Sequence, residues 1–331
     1  MIEVDIGEIE AVCRAALRAH GAGDVQAQEV ARAVAEAESL SNRICGLYYL
    51  ESYCTQLRTG RVNGRVEPTV SQPRAGEVVV DAGFGFAQPA FARGLAPAVA
   101  AARELGIARL AVCHAHTCTA LGYFTNQIAL AGLIALGFTN ASPIVAPPGG
   151  KTRVIGTNPM AFAVPDGAGG VAMQFDQSTT TVALGKITMA KAAGTPIPEG
   201  WAVDAEGTPT TDPEAALKGS LVSVGGTSAG YKGWGFGLMV EVLAAALTGG
   251  RLSHQVEPLK APKGGPHDLG QFYILIDPSA SPGFAAKIAD LARIVGKDPG
   301  ARLPGQSRAP LASVLLEPEV WDQARSLARK A

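Results

Sequence analysis

The sequence predicts a mixed α/β (α+β) protein that lies outside the doubly wound class. Three observations predict it. Helical and strand-like periodicities alternate along the 331 residues. With 47% hydrophobic and 17% charged residues, the chain has the balance of a globular protein with a large core, divided into two or three lobes. The Gly-x-Gly-x-x-Gly turn that opens a helix directly after a strand in doubly wound nucleotide folds is missing where it is needed. Gly83-Phe84-Gly85 comes closest, but it lacks the third glycine and Pro89 interrupts it.

The elements follow in order. Residues 6–57 read as helices: Val12, Ala15, Ala16 and Leu17 recur at helical spacing, and 30–40 repeat the pattern with Ala and Glu. A short strand, 78–81, runs into the Gly83–Gly85 turn, and an Ala-rich helix, 89–105, stops at Gly106. A strand over 107–112 delivers His114 and His116 to its end. A helix (126–131) and a buried strand (133–138) precede the Pro147-Pro148-Gly149-Gly150 turn. Strands are predicted over 161–164, 171–175 and 272–276, and helices over 233–247, 284–295 and 320–329. No internal repeat or low-complexity tract interrupts the chain.

Composition narrows the function. A net charge of -1 gives no electrostatic footprint for nucleic acid or anionic membrane. The acidic start (Glu3, Asp5, Glu8) is not that of a secretory signal, and no apolar run is long enough to span a bilayer. Cys13, Cys45, Cys54, Cys113 and Cys118 are odd in number and lack a metal-type spacing, so reduced thiols in a cytoplasmic protein without a metal are expected. Forty glycines and 22 prolines suit a chain that wraps its backbone around a ligand.

Four polar, Gly-punctuated blocks hold the candidate chemistry. They are His114-Ala115-His116, then Gly149-Gly150 with Gly156-Thr157-Asn158-Pro159, then Phe175 to Thr180, then Gly230-Tyr231-Lys232-Gly233. His116, just past a strand and followed by Thr117, Cys118, Thr119 and Ala120, suits proton transfer or a cofactor contact; the plainer alternative is a histidine bonded to backbone. Thr157 offers a hydroxyl in a stiffened turn. Asp176, Gln177 and Ser178 expose amides after a strand, and Lys232 beside glycines suits an anion anchor.

In type, order and spacing these blocks resemble the malate/L-lactate dehydrogenase family of NAD(P)-dependent oxidoreductases, over nearly the whole chain. That family includes the Δ1-pyrroline-2-carboxylate/Δ1-piperideine-2-carboxylate reductases and the ureidoglycolate and sulfolactate dehydrogenases. The resemblance implies a non-Rossmann fold with a mixed, largely antiparallel sheet flanked by helices. It implies a helical N-terminal lobe (1–75), a cofactor domain (76–250) and a C-terminal segment (251–331) completing both. It implies a homodimer and a small-molecule substrate, with NAD or NADP as cofactor and NADPH slightly favoured. It also implies cofactor contacts at His116 to Ala120, Asp176 to Ser178, Tyr231, Lys232, Arg302, Pro304, Gly305 and Arg308, and puts Thr157 near the substrate.

One block departs from the pattern. Where the family carries Ser-His-Gly, this chain reads Ile44-Cys45-Gly46, and Tyr49 stands where the imine reductases place an arginine for the substrate carboxylate. Lys186 replaces the proton-relaying Asp of those reductases, as is usual in the malate/lactate branch. Three readings of the proton follow: Cys45 transfers it, His116 or Lys186 does, or the substrate is a protonated cyclic imine that needs none. The expected reaction is hydride transfer between nicotinamide and C2 of a small 2-oxo or 2-hydroxy acid or a cyclic 2-imino acid, with the Δ1-pyrroline-2-carboxylate type favoured and a malate/lactate-like 2-hydroxy-acid dehydrogenase or a cofactor binder without turnover as alternatives.

Overall fold

The computed structural model describes residues 1–306 and 309–329. A short strand, β1 (Ile2–Asp5), leads into α1 (Ile6–Ala19), where the Asp5 carboxylate accepts from the amides of Gly7 and Glu8 and caps the helix. Next come α2 (Asp24–Ser39), two 3-10 turns (Arg43–Cys45 and Leu47–Tyr49) and α3 (Leu50–Thr59), which ends at Gly60 with φ 76°. Their apolar stripes meet through Ile9, Leu17, Val30, Val34, Leu50 and Tyr53. Each such large side chain contributes about 1.5–3 kcal/mol on burial.

The chain then builds its sheet. The strands β2 (Thr69–Arg74) and β3 (Glu77–Asp81) precede α4 (Ala87–Leu105) and β4 (Ile107–Ala115). After α5 (Gly122–Leu130) come β5 (Ile134–Thr139), β6 (Met160–Pro165) and β7 (Val171–Gln177). A smaller lobe follows: α6 (Leu184–Ala193), the two-residue strands β8 (Ala202–Val203) and β9 (Pro209–Thr210), α7 (Pro213–Lys218) and β10 (Ser220–Leu221). Val145, Ile155, Val182, Ile187 and Leu221 form its core. Then α8 (Gly226–Glu241) passes into a π turn (Val242–Ala246), and the chain ends with β11 (Leu269–Ile276), α9 (Phe284–Val295), β12 (Ser313–Leu316) and α10 (Pro318–Arg329).

The strand order in the main sheet is β2-β3-β4-β11-β5-β6-β7, and only β3 and β4 run parallel. The sheet is therefore mixed and largely antiparallel. β11 arrives last along the chain yet lies at the centre, with Tyr273 opposite Leu110 of β4 and Gly137 of β5. One face packs α4 and α5 through Val80, Phe91, Leu110, Phe124 and Ile128; the other packs the end of α8 through Phe138, Val240, Ala244 and Phe272. β12 pairs antiparallel with β1, and Trp321 and Leu327 of α10 join the N-terminal cluster.

Two predicted elements shift. The helix expected from residue 233 begins at Gly226, with a kink at Ala229 (φ -132°), so Tyr231 and Lys232 ride on a helix and not in a loop. The helix expected from 126 begins at Gly122, because its first turn has its own cap, described below. Among the described residues no helix is long and apolar enough to cross a membrane.

Candidate active site

β4 ends beside the Gly83–Gly85 turn, and the His116 amide donates to the Gly85 carbonyl (2.8 Å). The His116 ring is buried. It stacks on His267, with centroids 3.9 Å apart, while Tyr53 and Phe86 pack against it at 5.6 and 5.4 Å. Its Nε2 meets the Gln56 side-chain oxygen. The Gln56 amide nitrogen is committed to the carbonyls of Leu259 (2.7 Å) and Ala261 (3.2 Å), so the Gln56 oxygen is the acceptor and His116 Nε2 carries the proton. Nδ1 then bears a lone pair, buried and without a partner among the described residues. The Thr117 amide donates to His267 Nδ1 (3.3 Å), which assigns that ring's proton to Nε2.

Burial, then the neighbouring His267 and Arg61, hold His116 well below the ordinary imidazole range. Burial and Arg61 pull His267 down to about 3. Both rings are neutral at pH 7. Arg61, wholly buried, donates to the carbonyls of Gly265 (3.0 Å), Ala261 (2.7 Å) and Pro258 (3.2 Å) and thereby pins the 257–267 loop. Sequence reasoning missed Gln56, Arg61 and His267, since no motif spacing marks them.

Cys45 ends its 3-10 turn, four residues before Tyr49. Burial, then Asp176, push its thiol up to about 12, the reverse of an activated cysteine. Burial, with Cys45 next, also raises Tyr49 above the usual phenol range. Tyr49 packs on Tyr53 at 5.7 Å, so a row of rings runs from Tyr49 through Tyr53 and His116 to His267. Asp176 accepts from the Gly122 amide (2.8 Å) and Gln174 donates to the Gly122 carbonyl (2.6 Å). Together they clamp the start of α5, so the Asp176 carboxylate acts here as a helix cap. Thr119 takes φ 61° and bonds the Cys118 carbonyl (2.6 Å), with Ala120 half-buried beside it. Lys186 lies exposed in the first turn of α6, whose Gly185 faces the Ile44 side chain.

The remaining candidates have contacts of their own. Thr157 receives both the amide (2.9 Å) and the hydroxyl (3.0 Å) of Thr179 at its carbonyl; a methyl group at Gly156 would sit 2.5 Å from the Ala141 oxygen. Asn158, buried with φ 37°, donates to the Gly237 carbonyl (3.0 Å) and to Glu241 (2.7 Å), and Glu241 also accepts from the amide and hydroxyl of Ser253 (2.5 and 2.6 Å). Gln177 is exposed and Ser178 half-buried, bonded to the Thr180 carbonyl (3.3 Å). Tyr231 and Lys232 stand exposed on α8, where Gly233 must be glycine because a side chain would drive into the Val224 backbone. Among the described residues no hydrogen bond or ring contact joins Tyr231 or Lys232 to the His116 cluster. Arg302 and Pro304 are exposed, Gly305 lies against Gln174, and Gln174 donates to the Pro304 carbonyl (2.9 Å). Arg308 lies outside the described residues.

A 510 Å³ cleft opens between Gln174–Asp176 and Gly300–Gly305.

A crystal structure of Δ1-piperideine-2-carboxylate reductase from Pseudomonas syringae pv. tomato matches with a TM-score of 0.91 at 31% identity, over 99% of this chain and all of that one. The (2R)-3-sulfolactate dehydrogenase (NADP(+)) of Chromohalobacter salexigens is 39% identical, over 98% of both chains. The Δ1-pyrroline-2-carboxylate reductase of Ancylobacter novellus is 36% identical, over 93% of this chain and 90% of its own. Fold and relatives define an NAD(P)-dependent oxidoreductase. The family model for malate/L-lactate dehydrogenase matches residues 4–313, and the chain belongs to that family.

Proposed function

We propose that this enzyme reduces a small cyclic 2-imino acid of the Δ1-pyrroline-2-carboxylate type, with NADPH preferred. The observation that carries the reading is the protonation state of the site. Burial keeps Cys45 a neutral thiol with a pKa of about 12 and His116 a neutral imidazole. Neither gives up a proton readily at neutral pH, so a keto acid, which needs one at its oxygen, is poorly served. A cyclic imine is protonated before reaction and becomes the amine directly. The cofactor's chemistry, when it is bound, is hydride transfer at C2 of the substrate. The chain's own work is to hold both molecules and exclude water. The 116–120 loop, Asp176 to Ser178, Tyr231, Lys232, Arg302, Pro304, Gly305 and Arg308 are the proposed cofactor contacts, with the arginines suited to a 2′-phosphate. Cys45, Tyr49, Thr157 and Lys186 border the proposed substrate position.

A second reading rests on the same imidazole. A lone pair on Nδ1 of His116 is the base that oxidation of a 2-hydroxy acid requires, as in a malate/lactate-like dehydrogenase. The deciding assay follows NADH and NADPH oxidation against pyruvate, oxaloacetate, sulfopyruvate and the five- and six-membered cyclic imines. The imines with NADPH should give the highest kcat/KM. A keto acid turned over about tenfold better would overturn the imine reading, and cofactor binding without turnover on any of them would indicate a binder. Lys232→Ala should weaken dinucleotide binding by about 1–3 kcal/mol; unchanged affinity removes Lys232 from the site.

We likewise infer a homodimer, with the helical segment 1–75 and part of 251–331 as the substrate and dimer lobe and 76–250 as the cofactor lobe. Of the three tyrosines at residues 48, 49 and 53, only Tyr48 remains exposed (61%), so the broader support comes from α8 and the π turn after it, where Tyr231, Phe236, Met239 and Val242 present an apolar row to solvent. A monomer mass by light scattering with activity retained would refute the dimer. The five cysteines, all free, suit a reducing cytoplasm.

A further inference from the structure

We propose that Lys260 is the cation that receives the substrate carboxylate, on a shelf made by the rings of Tyr48 and Tyr49. The proposal rests on the oxidoreductase reading above. Every substrate class considered there carries a carboxylate next to C2, and a carboxylate drawn out of water needs a counter-charge. The cations near the tyrosine–histidine row divide sharply. His116 and His267 are neutral. Arg61 gives its Nε and Nη1 to three backbone carbonyls, and its buried Nη2, without a hydrogen-bond partner among the described residues, is directed to the Glu257 carboxylate at 3.6 Å. Arg43 reaches the other way, to the Leu315 carbonyl (3.0 Å).

Lys260 is placed differently. Its Nζ lies 3.1 Å from the centroid of Tyr48 and 4.4 Å from that of Tyr49, and it donates to the Tyr48 carbonyl (3.3 Å). An ammonium has three donors, so two remain for an anion. Tyr49 is the ring that links this ammonium to Tyr53 and the His116 stack. The loop that carries Lys260 is held on both flanks. Gln56 donates to Leu259 and Ala261, Arg61 donates to Pro258 and Ala261, and His267 closes the loop against His116. The Gln56 that fixes the His116 tautomer therefore also fixes the lysine's position. One hydrogen-bonded frame sets the spacing between the imidazole and the cation.

Burial pulls the Lys260 ammonium down to about 8, partly offset by Glu51. The titratable and charged groups that act on it are Tyr48, Tyr49 and Glu51 of the N-terminal segment, and Glu257 and Lys263 lie three residues away on either side along its own loop. The charge is thus half lost at about pH 8 and fades further above it.

The experiment compares wild type, Lys260→Met and Lys260→Arg with Δ1-pyrroline-2-carboxylate and NADPH from pH 6 to 9.5. Lys260→Met should raise the substrate KM about 10- to 100-fold and leave the NADPH KM within about twofold, while Lys260→Arg recovers most of the loss. In wild type the substrate KM should climb above about pH 8, and in Lys260→Met it should be flat across that range, which a merely structural role would not produce. In parallel, the rate at which an amine-reactive reagent labels Lys260 at pH 8 is followed by peptide mass spectrometry with and without the same imine. Slower labelling with the imine supports the carboxylate site even if no substrate is turned over, in which case the reductase reading alone fails. Turnover in wild type with an unchanged KM in Lys260→Met overturns the lysine and leaves the reductase reading standing. Neither turnover nor protection overturns both.

Discussion

His114 and His116 lie two residues apart at the end of one strand, where strict alternation would turn both side chains to the same face. They end in opposite surroundings. His114 adopts φ 50°, which breaks the pleat, and turns toward solvent, where its Nδ1 meets Asp81 at 3.0 Å beside the Phe84 ring. His116 turns inward onto an amide oxygen and three aromatic neighbours and, among the described residues, has no carboxylate partner. An imidazole walled by an amide and rings loses its proton. Residue type and sequence distance do not separate the two. The one positive φ does.

This comparison can be broken most decisively by turnover. His116→Asn should lower kcat by about 10²–10⁴-fold if its Nδ1 serves the chemistry, whereas His114→Asn should stay within a few-fold. Equal losses in folded proteins would erase the distinction. A second test reads stability against pH. His267, at about 3 in the fold, lies below the roughly 6.5 of an unfolded histidine, so below about 6.5 the unfolded chain binds more protons. Stability is unaffected by this group above that pH and falls as the pH drops toward 3, by up to about 1.4 kcal/mol per unit, and His116 adds in the same direction. Denaturant titrations of His267→Asn between pH 7 and 4 should show a flatter decline, and an unchanged slope would mean the ring is not held neutral. The smallest effect is expected at Cys45. Cys45→Ala should leave imine turnover within a few-fold, and a drop of about 10²-fold or more would make the thiol a proton donor. Cys45→His should help keto-acid reduction more than imine reduction, and equal gains would show that proton supply is not decided at this position.

The main elements were legible because they are long and periodic: the Ala-rich helix stopped by Gly106, the strand leading to His116 and the apolar run 272–276 all stand where expected. The two-residue strands β8, β9 and β10 carry too few side chains for a period to show. β2 is exposed along its length, so burial left no alternation to read. The central place of β11 is a long-range pairing that no local pattern encodes. At the site, the loops at His116 and Asp176 were visible as polar blocks, and Cys45 showed only as a departure from the family pattern. Gln56, Arg61, Lys260 and His267 were not, because their chemistry comes from a loop folded back onto a distant helix.

The buried Asn158–Glu241–Ser253 network has one more consequence. Asn158 follows the turn of Thr157, Glu241 ends the helix of Tyr231 and Lys232, and Ser253 opens the segment leading to the Lys260 loop. Opening any one of the three strands the buried hydrogen-bonding groups of the other two, so they should open together or not at all. In native-state amide exchange, the end of α8 and Ser253 would then behave as a single cooperative unit and share one opening free energy.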